Sequence, residues 1–331
     1  MSNLKSSLYF LRSRLKGFHH DIAWVCGINQ SRYKKAKGAR ILVYHGICDT
    51  DPLRFNTLFI TRENFETQLR YYKKYFNVVS LDDYYTGNYT KDRFTVCITF
   101  DDGFANNYHY VLPLLEQYQV PATFFITGIR QAGYDILWND GLCLAYQYGP
   151  PEIVFEQCTF IKGADKRYTC SSTGQLLADW LRSSAFENKK TMMKVIDSYK
   201  NKSNEAYWLQ LTEEQIKKMS ESNWVTIGSH GYYHNDLAKL DIDSLQQELI
   251  LSKQFLENIT GKAVNALAFP YGSYSHAALC EAQRAGYTQL LATELLSPED
   301  KGNMMLRERL TVNPFISTIN QMHANITGNY K

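Results

Sequence analysis

The chain has 331 residues, of which 44% are hydrophobic and 21% are charged, and its formal net charge is +3. This composition excludes a disordered or fibrous protein and suits one large domain, or one domain that carries an insertion. No apolar run approaches the roughly 18 residues of a membrane-spanning helix, and the seven cysteines form no C-x-x-C pair, which disfavours a disulfide framework or a thiolate zinc site.

The first 38 residues form a predicted basic arm. Residues 1–40 hold nine basic side chains against one acidic side chain, so they carry +8 and leave −5 for the remainder. The apolar residues of the arm recur at three- and four-residue steps: Leu4, Leu8, Leu11, Leu15 and Phe18. Such an amphipathic helix could lie on an anionic inner-leaflet surface through residues 1–20, or it could pack against its own domain.

The arm also bears on location and partners. Arg12, Arg14 and Lys16 interrupt any apolar core of a secretory signal, so neither a cleaved signal nor a membrane-spanning helix is predicted. We therefore expect a cytoplasmic protein, with the inner face of the cell membrane as a candidate contact of the arm. Nucleic acid is not expected as a partner, because the basic residues interleave with no recognisable nucleic-acid-binding module.

From residue 39 onwards, strand-like runs alternate with helix-like runs. The strand-like runs are 39–47, 77–81, 94–100 and 122–128, and the helix-like runs are 61–76, with Thr61 as N-cap, and 104–118, which Pro113 should kink or break. Alternation of this kind predicts a parallel sheet, either open or closed into a barrel.

The alternation stops between residues 129 and 211. This stretch is polar and favours helix, so we predict a helical insertion that covers one face of the core. After it, helix-like runs 212–222, 241–261 and 275–286 alternate with strand-like runs 224–230, 263–272 and 287–293. Residues 39–331 then form one domain with seven or so strands, slightly fewer than the eight of a common (β/α) barrel.

Polar side chains collect where four of the predicted strands end. They are His45, the pair Asp101 and Asp102, the pair His230 and His234, and Pro270 with Tyr271. In a parallel α/β fold the carboxyl ends of the strands meet at one rim, where catalytic residues gather. Each group has an ordinary explanation alone, since Asp102 could cap a helix and a His pair at i and i+4 is usually solvated.

Taken together, one carboxylate and two imidazoles supply three protein ligands. This is the open pattern of a catalytic zinc-type site, whose remaining positions hold water or substrate. The second carboxylate then has a separate role, because successive side chains on an extended chain point in different directions. One of the pair could bind metal while its neighbour reaches the attacking water.

Three motifs, in this order and spacing, resemble those of the polysaccharide deacetylase family, the NodB-homology carbohydrate esterases. They are TFDDG (99–103), SHGYYH (229–234) and FPYGSY (269–274). The similarity runs from about residue 40 to about residue 315 and includes ILVYHGI, FETQL, FNVVSL and LWNDG. It implies a deformed (β/α)7 barrel that removes N- or O-acetyl groups from sugars with a divalent metal. Zinc is the expected ion, and cobalt, nickel and manganese are the alternatives.

The resemblance also implies roles for individual residues. The assigned residues are Asp102, His230 and His234 as metal ligands, Asp101 as the general base, Tyr271 as the backbone N–H donor to the oxyanion, and Trp138 with Asp140 as substrate contacts. Trp138 would supply the aromatic wall of the site.

Two departures from the family pattern leave two roles open. The family often has an Arg, paired with the base, in the motif that reads Ala-Phe-Pro-Tyr at 268–271 here; Arg307 or Arg309 could replace it, and we choose Arg309. The late Leu-x-Leu-His motif, which usually provides the general acid, is also absent, because residues 304–312 contain no His. We assign the acid to His45, since an imidazole can protonate a leaving amine near neutral pH. A purely structural His45 is the alternative.

The sequence therefore predicts a metal-dependent hydrolase that removes an acetyl group from an N-acetylated sugar of the N-acetylglucosamine type. Its expected place is polysaccharide or glycan-precursor metabolism, such as exopolysaccharide assembly, with a lipid-linked sugar precursor as a candidate substrate. Two alternatives stay open: a metal-dependent amidase that acts on a non-sugar amide, and a catalytically silent carbohydrate-binding protein that keeps the fold.

Overall fold

The computed structural model describes residues 28–50, 56–155, 158–200 and 205–330, together with residues 19, 21–23, 25 and 26. All five apolar residues of the predicted arm helix, from Leu4 to Phe18, lie outside the described residues, so the arm's contact with a membrane stays a prediction. Within the described part of the chain, no helix combines the length and the apolar character needed to cross a bilayer.

Thirteen strands and eleven α-helices make up the described part of the chain. The strands are β1 (Ala39–Tyr44), β2 (Ile47–Cys48), β3 (Ile60–Thr61), β4 (Asn77–Val79), β5 (Thr95–Phe100), β6 (Ala122–Ile126), β7 (Glu152–Phe155), β8 (Cys158–Lys162), β9 (Tyr168–Cys170), β10 (Val225–Ser229), β11 (Ala266–Ala268), β12 (Gln289–Ala292) and β13 (Leu306–Thr311). The α-helices are α1 (Ile28–Lys35), α2 (Arg62–Tyr75), α3 (Leu81–Thr86), α4 (Leu112–Tyr118), α5 (Trp138–Tyr148), α6 (Leu177–Ser183), α7 (Phe186–Asp197), α8 (Glu213–Glu221), α9 (Ile242–Thr260), α10 (His276–Arg284) and α11 (Thr318–Thr327).

Seven of these strands close into a parallel barrel. The ring runs β1, β5, β6, β10, β11, β12, β13 and back to β1, and the pairing of β1 with both β5 and β13 closes it. Strand β5 is buried along its whole length, as expected for a parallel strand covered on both faces. The predicted (β/α)7 barrel is thus confirmed.

One member of the ring differs from the prediction. We counted 77–81 as a barrel strand, but β4 lies outside the ring and pairs only with the first half of β5, where Asn77 is opposite Thr95. From Ile98 onwards β6 takes over the same edge of β5. Strand β13, with the charged sequence LRERLT, completes the ring instead. No apolar run marks this strand, which is why periodicity alone did not predict it.

The interior of the barrel is filled by small and apolar side chains. The buried cluster inside it includes Ile41, Cys97, Phe125, Ala266, Ala268 and Leu291. Gly228 leaves room for the Phe125 ring, because a Cβ atom at this position would lie 2.5 Å from it. The guanidinium carbon of Arg309 lies 5.4 Å from the centroid of the same ring. A buried cation in this interior needs an anionic partner.

A second body of structure lies between β6 and α8, where we predicted the helical insertion of residues 129–211. It contains helices α5, α6 and α7, but also a three-stranded antiparallel sheet of β7, β8 and β9 that we did not predict. These strands have only three to five residues each, so they are difficult to distinguish from loops in the sequence. The core of this insertion continues onto the barrel through Phe59 and Phe104, whose rings meet edge to face at 4.9 Å.

Candidate active site

Asp102, His230 and His234 come together at the carboxyl ends of β5 and β10. Oδ1 of Asp102 lies 3.3 Å from Nε2 of His230 and 3.2 Å from Nε2 of His234. All three side chains are buried. Among the residues that the structure describes, they form the one group of three or more His, Cys, Asp or Glu side chains whose donor atoms all lie within 4.8 Å of one another.

Hydrogen bonds at Nδ1 orient both imidazoles. Nδ1 of His230 lies 2.8 Å from the carbonyl oxygen of Ala268, which can only accept, so we place the proton on Nδ1. Nδ1 of His234 lies 3.1 Å from the Tyr271 hydroxyl, which in turn lies 3.4 Å from the carbonyl oxygen of His234. We therefore assign the Tyr271 hydroxyl as donor to that carbonyl and as acceptor from Nδ1. Both Nε2 atoms then point a lone pair at Asp102.

This donor set fits a divalent cation. Two imidazole lone pairs and a carboxylate oxygen at 3.2 to 3.3 Å repel one another unless a positive charge lies between them. Burial opposes a charge on His230, but the negative charges of Asp101 and Asp102 outweigh this effect and raise the pKa of His230. A proton on His230 can therefore supply the positive charge when no metal is bound. A metal ion would replace this proton. Nitrogen and oxygen donors with outer bonds at Nδ1 are the usual surroundings of zinc.

The backbone of the site is strained. Of the described residues, five that are not glycine have a positive φ, and three of them are Asp102 (φ 76), His234 (φ 54) and Tyr271 (φ 61). Each left-handed residue costs on the order of 1 kcal/mol and persists where its surroundings hold it. Our expectation of an extended chain at Asp101 and Asp102 was wrong: the chain turns at Asp102, and this turn separates the two carboxylates.

Asp101 pairs with Arg309 below the rim. Two parallel bonds of 2.7 Å join the two Nη atoms of Arg309 to Oδ1 and Oδ2 of Asp101, and Nη1 also lies 3.2 Å from the Thr99 hydroxyl. Burial alone would raise the pKa of Asp101, but the guanidinium outweighs it and holds the pKa below its usual value. Oδ2 of Asp101 is 3.9 Å from Nε2 of His230. The structure thus places an ionised carboxylate beside the cluster, with the partner that we chose from the sequence.

His45 follows β1 and is partly exposed. Within the described structure its Nδ1 is buried and has no hydrogen-bond partner. Burial raises the pKa of Asp101 and of Asp102, and a positive charge on His45 would be the smallest of the named effects that lower it. The role of His45 as general acid stays a prediction. His45 and Tyr271 are partly exposed, whereas the carboxylates and imidazoles of the cluster are buried.

The structure places Trp138 and Asp140 differently from our expectation. Trp138 is only 3% exposed, and its Nε1 donates to the carbonyl oxygen of His234 at 3.3 Å, so its ring is no open wall for a sugar. Oδ1 of Asp140 accepts a bond of 3.1 Å from Asn56, and its other oxygen is buried without a partner in the described structure. Burial, aided by the charge of Asp102, raises the pKa of Asp140 well above its usual value. Both side chains are therefore buried, with Trp138 bonded to His234 and Asp140 bonded to Asn56.

Sequence reasoning missed three residues that border the site: Arg182, Lys189 and Asp236. Arg182 and Asp236 form an ion pair of 2.8 Å, and Lys189 is fully buried beside them. Asp236 follows the SHGYYH motif closely enough to have been suspected. The other two lie in the insertion, where no motif singles them out.

Comparison with known proteins shows that the sequence matches one protein family over most of its length. The sequence model of the family described as polysaccharide deacetylase matches residues 88–290, which is more than half of the chain. The peptidoglycan-N-acetylmuramic acid deacetylase PdaA of Bacillus subtilis (strain 168) is 24% identical over 208 residues, or 62% of this chain and 48% of that protein. The provisionally named polysaccharide deacetylase YxkH of the same organism is 30% identical over 107 residues, or 32% of this chain and 38% of that protein. The chain therefore covers less than half the length of these relatives.

Two solved structures share the fold. The Streptococcus pyogenes deacetylase PplD in complex with acetate is 18% identical with a TM-score of 0.54, covering 88% of this chain and 99% of that chain. IcaB from Ammonifex degensii is also 18% identical with a TM-score of 0.54, covering 88% of this chain and 98% of that chain. At this identity the likeness concerns the fold alone.

Proposed function

The chain belongs to the polysaccharide deacetylase family, and from this premise we propose that it is a metal-dependent hydrolase that removes the acetyl group from an N-acetylated sugar. One observation carries the proposal: Asp101, kept ionised by Arg309, stands beside the three-donor cluster of Asp102, His230 and His234. A base next to a metal site is what amide hydrolysis requires. A module that only binds carbohydrate has no need for this arrangement.

Asp102, His230 and His234 would hold the divalent ion. Their one oxygen and two nitrogen donors suit zinc, with cobalt, nickel or manganese as alternatives. When bound, such an ion supplies Lewis acidity, which polarises the acetyl carbonyl and makes nearby water more acidic.

The chain's own residues would perform the proton transfers. Asp101 takes a proton from the attacking water, and the two bonds from Arg309 fix the orientation of its carboxylate. The backbone N–H of Tyr271 stabilises the oxyanion, a contribution of roughly 3 to 4 kcal/mol for one such donor in comparable sites. His45 protonates the departing sugar nitrogen, and acetate is released.

The proposal extends to substrate and place. We propose a sugar of the N-acetylglucosamine type in a glycan or in a lipid-linked precursor, as in exopolysaccharide assembly. The name of PdaA, which refers to the deacetylation of N-acetylmuramic acid in peptidoglycan, supports a sugar amide as the substrate class. A cytoplasmic location at the inner face of the membrane is supported by the odd number of cysteines, which form no C-x-x-C pair, and by the basic arm. Cell fractionation would check this location.

The deciding experiment compares the wild type with Asp101→Asn. Metal content of the purified protein is measured together with acetate release from N-acetylglucosamine oligomers and from lipid-linked precursors. We expect about one metal per chain in both proteins and acetate only from the wild type. Asp243→Asn, which changes an exposed carboxyl on α9, is the matched control and should keep full activity.

The other outcomes separate the alternatives. Metal without acetate from any sugar would redirect the search to non-sugar amides. A protein that binds no metal would support a silent carbohydrate-binding function. Acetate release by Asp101→Asn at the wild-type rate would remove Asp101 as the base.

A further inference from the structure

Residues 230–236, which follow β10 and carry both histidines, form the histidine loop. Its last three residues are each bonded by a different helix of the insertion. The bonds run from Nε1 of Trp138 on α5 to the carbonyl oxygen of His234 (3.3 Å), from Nζ of Lys189 on α7 to Oδ1 of Asn235, and from Nε of Arg182 on α6 to Oδ2 of Asp236 (2.8 Å). The first of the three residues is a predicted metal ligand. The insertion therefore contacts the metal site directly.

The contacts of Trp138 and Lys189 are buried, whereas in the third pair Asp236 is buried and the Arg182 side chain is 37% exposed. Lys189 is 0% exposed, and it forms no ion pair within the described part of the chain. Its ammonium lies 5.2 Å from the centroid of the Trp138 ring. Asn235 and Asp236 are buried as well. Polar bonds without competing water hold their partners more tightly than bonds at the surface do.

The residues they hold are in a strained turn. His234 has a φ of 54°, so its backbone needs external contacts to stay in place. The barrel side holds the same loop through Glu248 on α9, whose Oε2 accepts from the backbone N–H groups of Tyr232 and Tyr233 at 2.6 and 3.0 Å. On the insertion side, residues 234–236 accept hydrogen bonds from Trp138, Lys189 and Arg182.

The two predicted histidine ligands differ in which part of the molecule orients them: the insertion contacts the surroundings of His234, and the barrel contacts His230. Arg182 also covers the ring of Tyr271, with 4.6 Å between the guanidinium carbon and the ring centroid, and the Tyr271 hydroxyl is the partner of Nδ1 of His234. His230 is oriented by Ala268 of β11, which belongs to the barrel. The described contacts of the insertion thus converge on His234.

We propose that the insertion is a positioning device for His234, in which Trp138, Lys189 and Arg182 hold residues 234–236 so that Nε2 of His234 faces Asp102. This inference rests on the proposed function only in requiring that Asp102, His230 and His234 bind a divalent metal. It is independent of the sugar, the acyl group and the general acid. Trp138, Lys189 and Arg182 are positioning residues, because none of them is proposed to touch the substrate.

The test measures metal affinity directly. Zn²⁺ dissociation constants are determined by competition with a chelator on the full chain, for the wild type, Arg182→Met, Trp138→Phe and Lys189→Met. We expect each variant to weaken Zn²⁺ binding by about tenfold or more, the range seen when outer contacts of metal ligands are removed. The control Lys194→Met changes an exposed lysine of α7, the helix that carries Lys189, and should leave the affinity within twofold.

Two further readouts separate positioning from general damage. Thermal melting of the metal-free variants should show intact folds, and Arg182→Lys, which keeps the charge, should recover part of the affinity. The visible absorption of the Co²⁺ form should change in Arg182→Met and Trp138→Phe, because the geometry at one imidazole changes. If Lys189→Met fails to fold, Arg182→Met and Trp138→Phe decide the question.

The result that overturns the proposal is Zn²⁺ affinity within twofold of wild type in folded Arg182→Met and Trp138→Phe. A wild-type protein that binds no metal would overturn the metal centre and this inference with it. Metal binding without acetate release, in contrast, would contradict the proposed reaction and leave the positioning role standing if the variants weaken binding.

Discussion

Two adjacent carboxylates have opposite surroundings in this protein. Asp101 faces the guanidinium of Arg309, while Asp102 faces two imidazoles. The left-handed turn at Asp102 makes this possible, because it directs the second side chain away from the first. In the proposed function a single short motif thus supplies both a base and a metal ligand, and the division of roles depends on which partner each carboxylate meets.

Removal of the Arg309 guanidinium should change the pH dependence of activity. The guanidinium holds the pKa of Asp101 low against the effect of burial. In Arg309→Met the pKa of the base should rise, because the effect of burial is then no longer opposed by the guanidinium. The acid limb of the kcat/KM profile should then shift to higher pH, with a larger loss of activity at pH 5 than at pH 8.

The control for this experiment is Arg307→Met. Arg307 lies two residues earlier on β13, and it donates to the carbonyl oxygens of Asn303 and Leu306. Its removal should leave the acid limb in place. An unmoved acid limb in folded Arg309→Met would show that Asp101 is not the group that titrates.

His45 can be tested through the leaving group. If its imidazole protonates the departing amine, His45→Ala should lower the turnover of an N-acetyl substrate by roughly 100-fold or more. An activated ester needs no such proton, so its hydrolysis should fall far less. The comparison of the two substrates on one variant cancels any effect on metal content. Equal losses would indicate a structural role for the buried Nδ1 of His45.

At the scale of single elements, β10 illustrates how closely the barrel is packed beneath the site. In Gly228→Ala the new Cβ atom would lie 2.5 Å from the Phe125 ring, so the ring or the strand must shift. Overpacking of this kind costs about 1 to 3 kcal/mol in the free energy of unfolding. Urea denaturation of the metal-free protein would measure it. Gly302→Ala, where no atom lies within 4 Å of the new Cβ, should be nearly neutral.

The elements that the sequence predicted well are those with local signals. Thr61, Thr212, Asp241 and Ser275 each accept a hydrogen bond from the backbone N–H three residues ahead, and the four helices begin directly after them. The break expected at Pro113 is also found, as a π-helical turn over Asn107–Val111 before α4. Capping and proline chemistry depend only on near neighbours, so a sequence can reveal them.

The elements that the sequence did not predict depend on distant contacts. Arg309 of the charged strand β13 binds the carboxylate of Asp101 at the end of β5, 208 residues away in the chain. The bonds from Trp138, Arg182 and Lys189 to the histidine loop span 96, 54 and 46 residues. Motifs thus identified the cluster of Asp102, His230 and His234, whereas the residues bonded to the loop that carries the two histidines became visible only in the folded chain.

For the molecule as a whole, the barrel and the insertion share the task of building one site. The barrel supplies Asp101, Asp102, His230 and Arg309, and the insertion closes over them with its own apolar core. Among the residues that border the site, His45 and Tyr271 are partly exposed. This enclosure agrees with a reaction that acts on a small group projecting from a larger substrate.

The enclosure also creates a pH-dependent term in stability, through Lys189. Burial deprives its ammonium of water and lowers the pKa of Lys189 to about 8, although Glu248 and Asp236 partly offset this effect. In the unfolded chain a lysine has a pKa of about 10.4. Between these values the unfolded state binds more protons than the folded state, so the free energy of unfolding rises with pH.

Comparison of the metal-free wild type with Lys189→Met isolates this term. The difference in unfolding free energy between the two proteins should change by roughly 2 kcal/mol between pH 7.5 and pH 9.5, in favour of the wild type at the higher pH. Urea denaturation at a series of pH values would measure it, and Lys194→Met should run parallel to the wild type. Parallel curves for Lys189→Met would mean that the ammonium keeps its hydration. The insertion would then open far enough to admit water to the histidine loop. The insertion would in that case hold His234 less firmly than the buried bond from Lys189 to Asn235 indicates.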